Sequence, residues 1–211
     1  MAKVKFGIAG GMITGSGWKV EDAMVINYMS AHDNHTLWDK LQLSNASNLE
    51  TERMDMNRLG AAILMISKGT PFMQAGEEML RTKDGDENSY KSSDAINNID
   101  WEALTPDSNA YAMMQYYKGL IEMRKTYGIL RDTTSVVTFE DIGSGQLAVK
   151  FENDKGEVAL VLINPTTGPM PYTLQGEWKL VADKTQAGSE VISTAQGQIT
   201  LPGRSICVYV Q

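Results

Sequence analysis

Near residue 128 the periodicity of this chain changes, and that change limits the folds open to it more than any other feature. Beyond it, short β-rich runs recur at 134–140, 145–152, 156–163, 171–174, 177–183, 189–193, 197–201 and 205–210. Turn signals separate them: Gly143-Ser144-Gly145, Asn153-Asp154-Lys155-Gly156, Gly168-Pro169 and Pro202-Gly203. Short strands at this spacing predict an antiparallel β-sandwich over 129–211.

Before the change, helical periods alternate with short apolar runs. Residues 1–23 are glycine-rich and polar and read as loop. The run 24–31, Met24 to Ala31, suits a buried strand and ends at His32-Asp33-Asn34-His35. A short helix is predicted over 36–43. Ser47 and Glu50 have the spacing of a capping box and open a helix over 48–67, with Met56, Leu59, Ile63 and Ile66 on one face. Gly69 and Pro71 stop it, and 71–75 reads as a second strand. Strand–helix–strand favours a parallel sheet, which gives residues 1–128 an α/β character. A long polar loop over 76–105 follows. Thr105-Pro106 then opens a helix over 106–127, with Ala110, Met114, Tyr117, Ile121 and Arg124 along one stripe and Gly128 as its stop.

Charge and cysteine content narrow the functional classes. A formal net charge of -7 disfavours nucleic acid and anionic membrane surfaces as partners. No apolar run is long enough to span a bilayer, and Met1-Ala2-Lys3-Val4-Lys5 lacks the apolar core of a signal peptide. The opening reads as the middle of a longer chain, and secreted and cytoplasmic placement both stay open. Cys207, the single cysteine, sits in an apolar run and reads as a small buried hydrophobe.

Three clusters could carry chemistry. His32 and Asp33 fall at the C-terminal end of the first strand, where parallel α/β folds place ligand sites. An imidazole and a carboxylate there can grip vicinal hydroxyls; a capped polar strand end is the plainer reading. His32 and His35 could contribute to a zinc site, but a third ligand is not evident. Glu77-Glu78 is a carboxylate pair whose simpler role is to pin a loop. Asp84-Gly85-Asp86-Glu87-Asn88 faintly resembles a calcium loop, with its glycine misplaced and Ala95 where the closing glutamate belongs. Trp38, Tyr90 and Trp101 lie near these loops and fit either sugar platforms or core packing. No nucleophile elbow, phosphate loop or dinucleotide motif is present.

Taken together, these segments resemble a known family. The stretch Val25 to Asp39, with His32-Asp33-Asn34-His35 at its centre, resembles the fourth signature region of the α-amylase superfamily (glycoside hydrolase family 13). Gly69-Thr70-Pro71-Phe72-Met73-Gln74-Ala75-Gly76-Glu77-Glu78 resembles the eighth barrel strand of those enzymes. Leu80 to Gly85, then Asn88-Ser89-Tyr90, Asp94, Asn97 and Ile99-Asp100-Trp101, is similar to the long loop of bacterial type I pullulanases. The resemblance implies the last two strand–helix repeats of a (β/α)8 TIM barrel over 1–128, followed by the C-terminal β-sandwich domain over 129–211, as a C-terminal fragment of a longer enzyme. It implies retaining hydrolysis of α-1,6 bonds in pullulan and branched α-glucans by that longer protein. His32 and Asp33 would bind the sugar at the cleavage subsite, Asp33 stabilising the transition state. Asn34, and further along Asn88 and Tyr90, would line substrate subsites. The family's nucleophilic aspartate and acid/base glutamate lie in earlier regions that nothing here resembles, so this chain alone is expected to be inactive.

No cofactor is expected, although the longer protein could take calcium. The expected partner is an α-glucan, with no nucleic acid or membrane. Two barrel strands cannot close, so the barrel part is expected to be rearranged, partly mobile or self-associated, and the β part to fold by itself. A non-catalytic carbohydrate-binding or structural module is the alternative, and a metal-binding domain a third reading.

Overall fold

The computed structural model describes residues 1–11 and 25–211. The loop expected over 12–23 and the first residue of the expected strand, Met24, lie outside the described residues. Ala2–Ile8 forms a helix (α1) where loop was expected. Glycine is absent before Gly7, so a full turn can form, and Ile8 is buried against the longer helix that follows. The Lys68 N–H donates to the Ile8 carbonyl at 2.9 Å and ties the two together.

The helical half is built on one parallel strand pair. Strand β1 (Ile26–Asn27) pairs with β2 (Thr70–Pro71). Both are shorter than the runs 24–31 and 71–75 suggested. The expected burial of the first run also fails: Ile26 is 62% and Tyr28 61% exposed. This sheet has two strands, and among the described residues no further strand joins it. Gly69 holds a φ of 101°, and a Cβ there would meet the Val25 carbonyl oxygen at 2.6 Å, so the close approach of β1 and β2 requires glycine.

Helices α2 to α5 connect and flank this pair. Helix α2 (Leu37–Ser44) is capped by Thr36, whose Oγ1 accepts from the Asp39 N–H at 3.1 Å. Helix α3 (Glu50–Ile66) opens two residues later than the Ser47 cap predicted. Its cap is the Glu52 carboxylate, which accepts from the Leu49 N–H at 2.9 Å and the Asn48 side chain at 3.0 Å. The buried face of α3 runs through Met54, Asn57, Ala61 and Met65; Met56, Leu59 and Ile63 are only half-buried, and Ile66 alone of the expected stripe is fully buried. Alanines at 61 and 62 let α3 lie close to its neighbours, which rotates the larger aliphatics outward. The loop expected over 76–105 is punctuated by single turns at Glu77–Met79, Ser89–Lys91 and Trp101–Ala103 and by the short helix α4 (Asp94–Asn97). Helix α5 (Asn109–Thr126) starts at Ser108, whose Oγ accepts from the Tyr111 N–H, rather than at Thr105-Pro106. Ala110, Tyr117 and Arg124 are buried as expected, joined by Met113, Tyr116, Leu120 and Met123 in place of Met114 and Ile121.

The C-terminal part is one hydrogen-bonded sheet, not two. Strands β3 (Val136–Gly143), β4 (Gln146–Glu152), β5 (Val158–Asn164), β6 (Met170–Ala182), β7 (Ser193–Leu201) and β8 (Ser205–Val210) pair antiparallel in the order β3-β4-β5-β8-β6-β7. The runs 171–174 and 177–183 are a single strand, β6, with a register irregularity between Leu174 and Trp178. Only Lys179–Ala182 of β6 pairs with β8; the earlier half continues with β7 alone. Met170, Leu174 and Leu201 from that corner pack with Leu160, Leu162, Cys207 and Tyr209. The sheet therefore rolls over its own outer face and makes a second core without a second sheet. The bulge supplies the bend.

The inner face of the sheet carries Leu147, Val149, Phe151, Val161, Ile163, Ile206 and Val208, and these share one core with Ala61, Met65, Tyr117, Leu120 and Met123 of α3 and α5. That core is continuous across residues 128 and 129. Where α5 passes the β6–β7 connection, a Cβ on Gly119 would meet the Ala187 carbonyl oxygen at 2.0 Å, so glycine sets this contact as well.

Candidate functional site

The segment after β1 carries His32, Asp33 and Asn34 into solvent. The His32 and Asp33 side chains are 89% and 82% exposed, with His32 Nε2 3.6 Å from Asp33 Oδ2. Asn34 sits at φ 64°, a left-handed turn that asparagine tolerates. The turn redirects the chain into Thr36, the α2 cap, so strand end and helix start fix the segment from both sides.

Below this exposed end lies a buried polar chain. Ser30 Oγ donates to Glu77 Oε2 at 2.5 Å, and Glu77 is 5% exposed. Tyr117 Oη lies 3.5 Å from Glu77 Oε1 and donates to Asn57 Oδ1 at 2.9 Å. Burial pushes the Glu77 carboxyl up to about 7; hydrogen bonds from Ser30 and Tyr117 work against that shift, and the Glu78 charge adds to it. Glu78 accepts from the Gly76 N–H at 3.0 Å. The pair thus splits into one carboxyl under the strand end and one that closes its own turn.

A second network holds the long loop against α2. Asp39, 2% exposed, accepts from Thr82 Oγ1 at 2.5 Å and from the Lys83 N–H at 2.8 Å. The buried Lys83 ammonium donates to Ser89 Oγ at 2.7 Å, and Asn97 Nδ2 donates to the Ser89 carbonyl at 2.7 Å. Arg81 reaches the carbonyls of Ala75 and Asn97. Asp86 accepts from the Asn88 N–H at 2.9 Å and from Ser92 Oγ at 2.5 Å; the Ser92 bond, then the Asn88 bond, hold its carboxyl low. His35 Nε2 is 3.5 Å from Glu87 Oε2, which sets the 32–35 segment beside the 86–90 loop.

The predicted residues therefore divide. His32 and Asp33 touch each other, and Asn34 follows them in the same exposed turn. Asn88 and Tyr90 are exposed on the adjoining loop, Tyr90 to 74%, but no hydrogen bond or ion pair joins either to His32 or Asp33 among the described residues. Lys91 Nζ lies 5.1 Å from the centre of the Tyr90 ring and covers one approach to it. Trp101 is 66% exposed, whereas Trp38 packs against the core. Among the described residues no group of three or more His, Cys, Asp or Glu side chains could hold a metal ion. No helix among them is long and apolar enough to cross a membrane. Sequence reasoning assigned no role to Asp39 or Lys83; a carboxylate three residues past a threonine cap was the available signal.

No family model matches the chain. Among curated proteins, it is 39% identical over 134 residues to a pullulanase of Bacillus subtilis, covering 61% of this chain and 18% of that protein. It is 30% identical over 251 aligned positions to a pullulanase of Klebsiella pneumoniae, covering 91% of this chain and 23% of that protein. The chain is a homologue of the bacterial pullulanases. It spans about a fifth of the length of these two relatives. Among solved structures, it is 32% identical to the pullulanase of Paenibacillus barengoltzii in complex with maltohexaose and α-cyclodextrin, with a TM-score of 0.85 over 98% of this chain and 33% of that one. The pullulanase likeness thus runs through the helical half and the sheet alike.

Proposed function

We propose that this chain is the substrate-gripping and C-terminal part of a debranching glycoside hydrolase that cleaves α-1,6 bonds in pullulan and branched α-glucans with retention. The observation that carries the proposal is the exposed His32-Asp33-Asn34 turn at the C-terminal end of the parallel β1–β2 pair. Ligands of parallel α/β folds collect at that end of the sheet. Asp33 and His32 grip sugar hydroxyls at the cleavage subsite, and Asp33 stabilises the oxocarbenium-like transition state. Asn34 lines a neighbouring subsite, with Asn88 and Tyr90 on the adjoining loop. The glucan partner is supported by the maltohexaose held by the Paenibacillus relative.

In this reading β1 and β2 are the last two strands of a (β/α)8 barrel, and the rolled sheet is the domain that follows it. The exposed Ile26, Tyr28 and Phe72 are surface that the other barrel strands cover. A retaining glycosidase needs two carboxylates about 5 Å apart. Glu77 and Glu78 are engaged in holding structure, so bond cleavage requires carboxylates from the rest of the barrel, and the chain alone is inactive. The test is maltotriose release from pullulan by this chain and by a longer protein carrying the whole barrel. Cleavage by the longer protein alone is expected. Cleavage by the chain alone would overturn the assignment of roles, and cleavage by neither, with glucan binding retained, would favour a non-catalytic carbohydrate-binding module.

A further inference from the structure

The rolled sheet is open along one seam. Residues 170–174 of β6 pair with β7 alone and cross the outer face toward β3, where Tyr172 and Ile142 pack against the same outer core. The outer edge of β3 pairs with no strand among the described residues. One side-chain bond spans the gap: Tyr172 Oη donates to Glu140 Oε2 at 3.1 Å. What stays open is a groove of about 680 Å³. Small-molecule sites commonly occupy about 300–1,000 Å³.

The chemistry of the groove is that of neutral hydrogen bonding. Asp141 is paired with Lys5 of α1, and Glu140 holds the Tyr172 hydroxyl, so neither carboxylate stands alone. No lysine or arginine lines the groove among the described residues. Thr173 and Gln198 lie opposite each other in the β6–β7 register and are exposed, as is Gln175. Their hydroxyl and amide groups both donate and accept. Pro171, also exposed, and the Tyr172 ring add apolar surface. An anion finds no cation here, and a cation finds both carboxylates engaged. An extended peptide is poorly served, because Pro171 has no N–H and β3 is irregular between Asp141 and Gly143. A neutral polyol with an apolar ring face fits: its hydroxyls meet the amides and Thr173, and its C–H face lies on Pro171 and Tyr172.

We propose that this seam is a second α-glucan-binding groove, which holds one stretch of the polymer while another occupies the His32-Asp33-Asn34 turn. The choice of an α-glucan rests on the glycan reading of that turn, although the groove uses none of its residues. Two grips on one polymer raise the effective concentration at each.

The test uses the full chain, isotopically labelled, with maltohexaose as the probe. Backbone amide shifts are followed at 140–142, 173–175 and 198 for the groove and at 31–34 for the turn. Saturable shifts in both sets are expected. Gln175→Ala combined with Gln198→Ala, at two exposed positions, should lower groove affinity about ten-fold and leave the turn unchanged. Asp33→Ala should do the reverse. Groove shifts without turn shifts would sustain the inference and sink the reading of the turn. Turn shifts alone would overturn the inference and leave that reading intact, and shifts in neither set would overturn both. Groove shifts that the double variant leaves untouched, or that cellotetraose matches, would also overturn it. Groove shifts with a peptide of alternating threonine and valine, and none with maltohexaose, would make the seam a strand-docking edge instead.

Discussion

Burial holds a proton on Glu77 up to about pH 7, and this makes the fold's stability depend on pH in a direction opposite to that of most carboxylates. Below its ordinary value of 4.5 the carboxyl is neutral in folded and unfolded chains alike. Between 4.5 and about 7 the unfolded chain ionises while the folded one keeps its proton, so stability falls as pH rises and levels off above that window. The full cost is roughly 3 kcal/mol. Glu77→Gln should therefore gain on the wild type by up to about 3 kcal/mol between pH 4.5 and 8, read from urea unfolding at each pH; parallel curves would show that Glu77 is already ionised in the fold. Asp39 acts differently. Its two bonds, to Thr82 and to the Lys83 N–H, fasten the long loop to α2, and Asp39→Ala leaves that N–H buried without an acceptor. A loss of about 2 kcal/mol is expected, with new proteolytic cleavage between Thr82 and Ser92; cleavage elsewhere first would contradict the local role. The placement of His32 and Asp33 side by side at an exposed strand end was legible because they are neighbours at the close of an apolar run; their roles rest on the resemblance. The structural reading of Glu77-Glu78 also held, since buried carboxyls must find donors. Asp39 escaped because a single acidic residue in a helix's first turn is ordinary, and only the fold brings Thr82 and Lys83 to it.

Element by element, stop signals were more informative than faces. Gly69, with its φ of 101°, and Pro71 lie just past the end of α3, where each suits a backbone that cannot continue the helix; Gly128 follows the extended Tyr127 that ends α5 and opens a 3-10 turn rather than a left-handed stop. The buried face of α3 was displaced from the predicted stripe. Small residues at 60–62 let neighbours approach on a side that hydrophobicity alone does not single out. Strand β6 was read as two strands because its bulge has the glycine and polar residues of a turn, and only the pairing with β7 shows it to be continuous. One residue ties several of these elements together. Arg124 of α5 donates to the carbonyls of Met65 at 2.6 Å, Leu130 at 2.8 Å and Gly69 at 2.8 Å, which closes the end of α3, the turn after α5 and the approach to β2. Burial first, and the nearby Arg131 charge second, lower its pKa to about 10, so it stays charged at neutral pH. Arg124→Met keeps the apolar stem and strips all three carbonyls, at an expected cost of roughly 3 kcal/mol in urea unfolding. Arg124→Lys should recover only part of that, because an ammonium cannot reach three separated acceptors with the geometry of a guanidinium. Full recovery by lysine would mean that charge, not the fork, is what matters.

For the whole molecule, two surfaces decide behaviour: the one left open by β1 and β2, and the one shared by helices and sheet. Ile26, Tyr28 and Phe72 are exposed, with the Tyr28 and Phe72 rings edge to face at 6.2 Å, beside a two-stranded sheet whose outer edges pair with no strand among the described residues. Such an edge recruits further strands. Sedimentation should reveal concentration-dependent association that Tyr28→Ser and Phe72→Ser reduce, and a monomer at every concentration would refute this. The shared core bears on the expectation that the β part folds by itself. Change of periodicity near residue 128 made that division natural from sequence, but sequence does not reveal which face of a sheet a helix covers. Val149, Phe151, Val161 and Val208 lie against Met65, Leu120 and Met123, so removing the helices would expose the inner face of β4, β5 and β8 to water. Each such side chain contributes on the order of 1.5–3 kcal/mol when buried, and a domain's net stability is only about 5–15 kcal/mol, so the loss of a few is enough to unfold the sheet. Helices and sheet should accordingly melt together. The far-ultraviolet helical signal and the fluorescence of Trp178, isolated by replacing the other tryptophans with phenylalanine, are expected to report one coincident urea transition. If the sheet signal persists after the helices have unfolded, its outer core of Leu160, Leu162, Met170, Leu174 and Leu201 suffices on its own, and the periodicity break marks a true folding boundary.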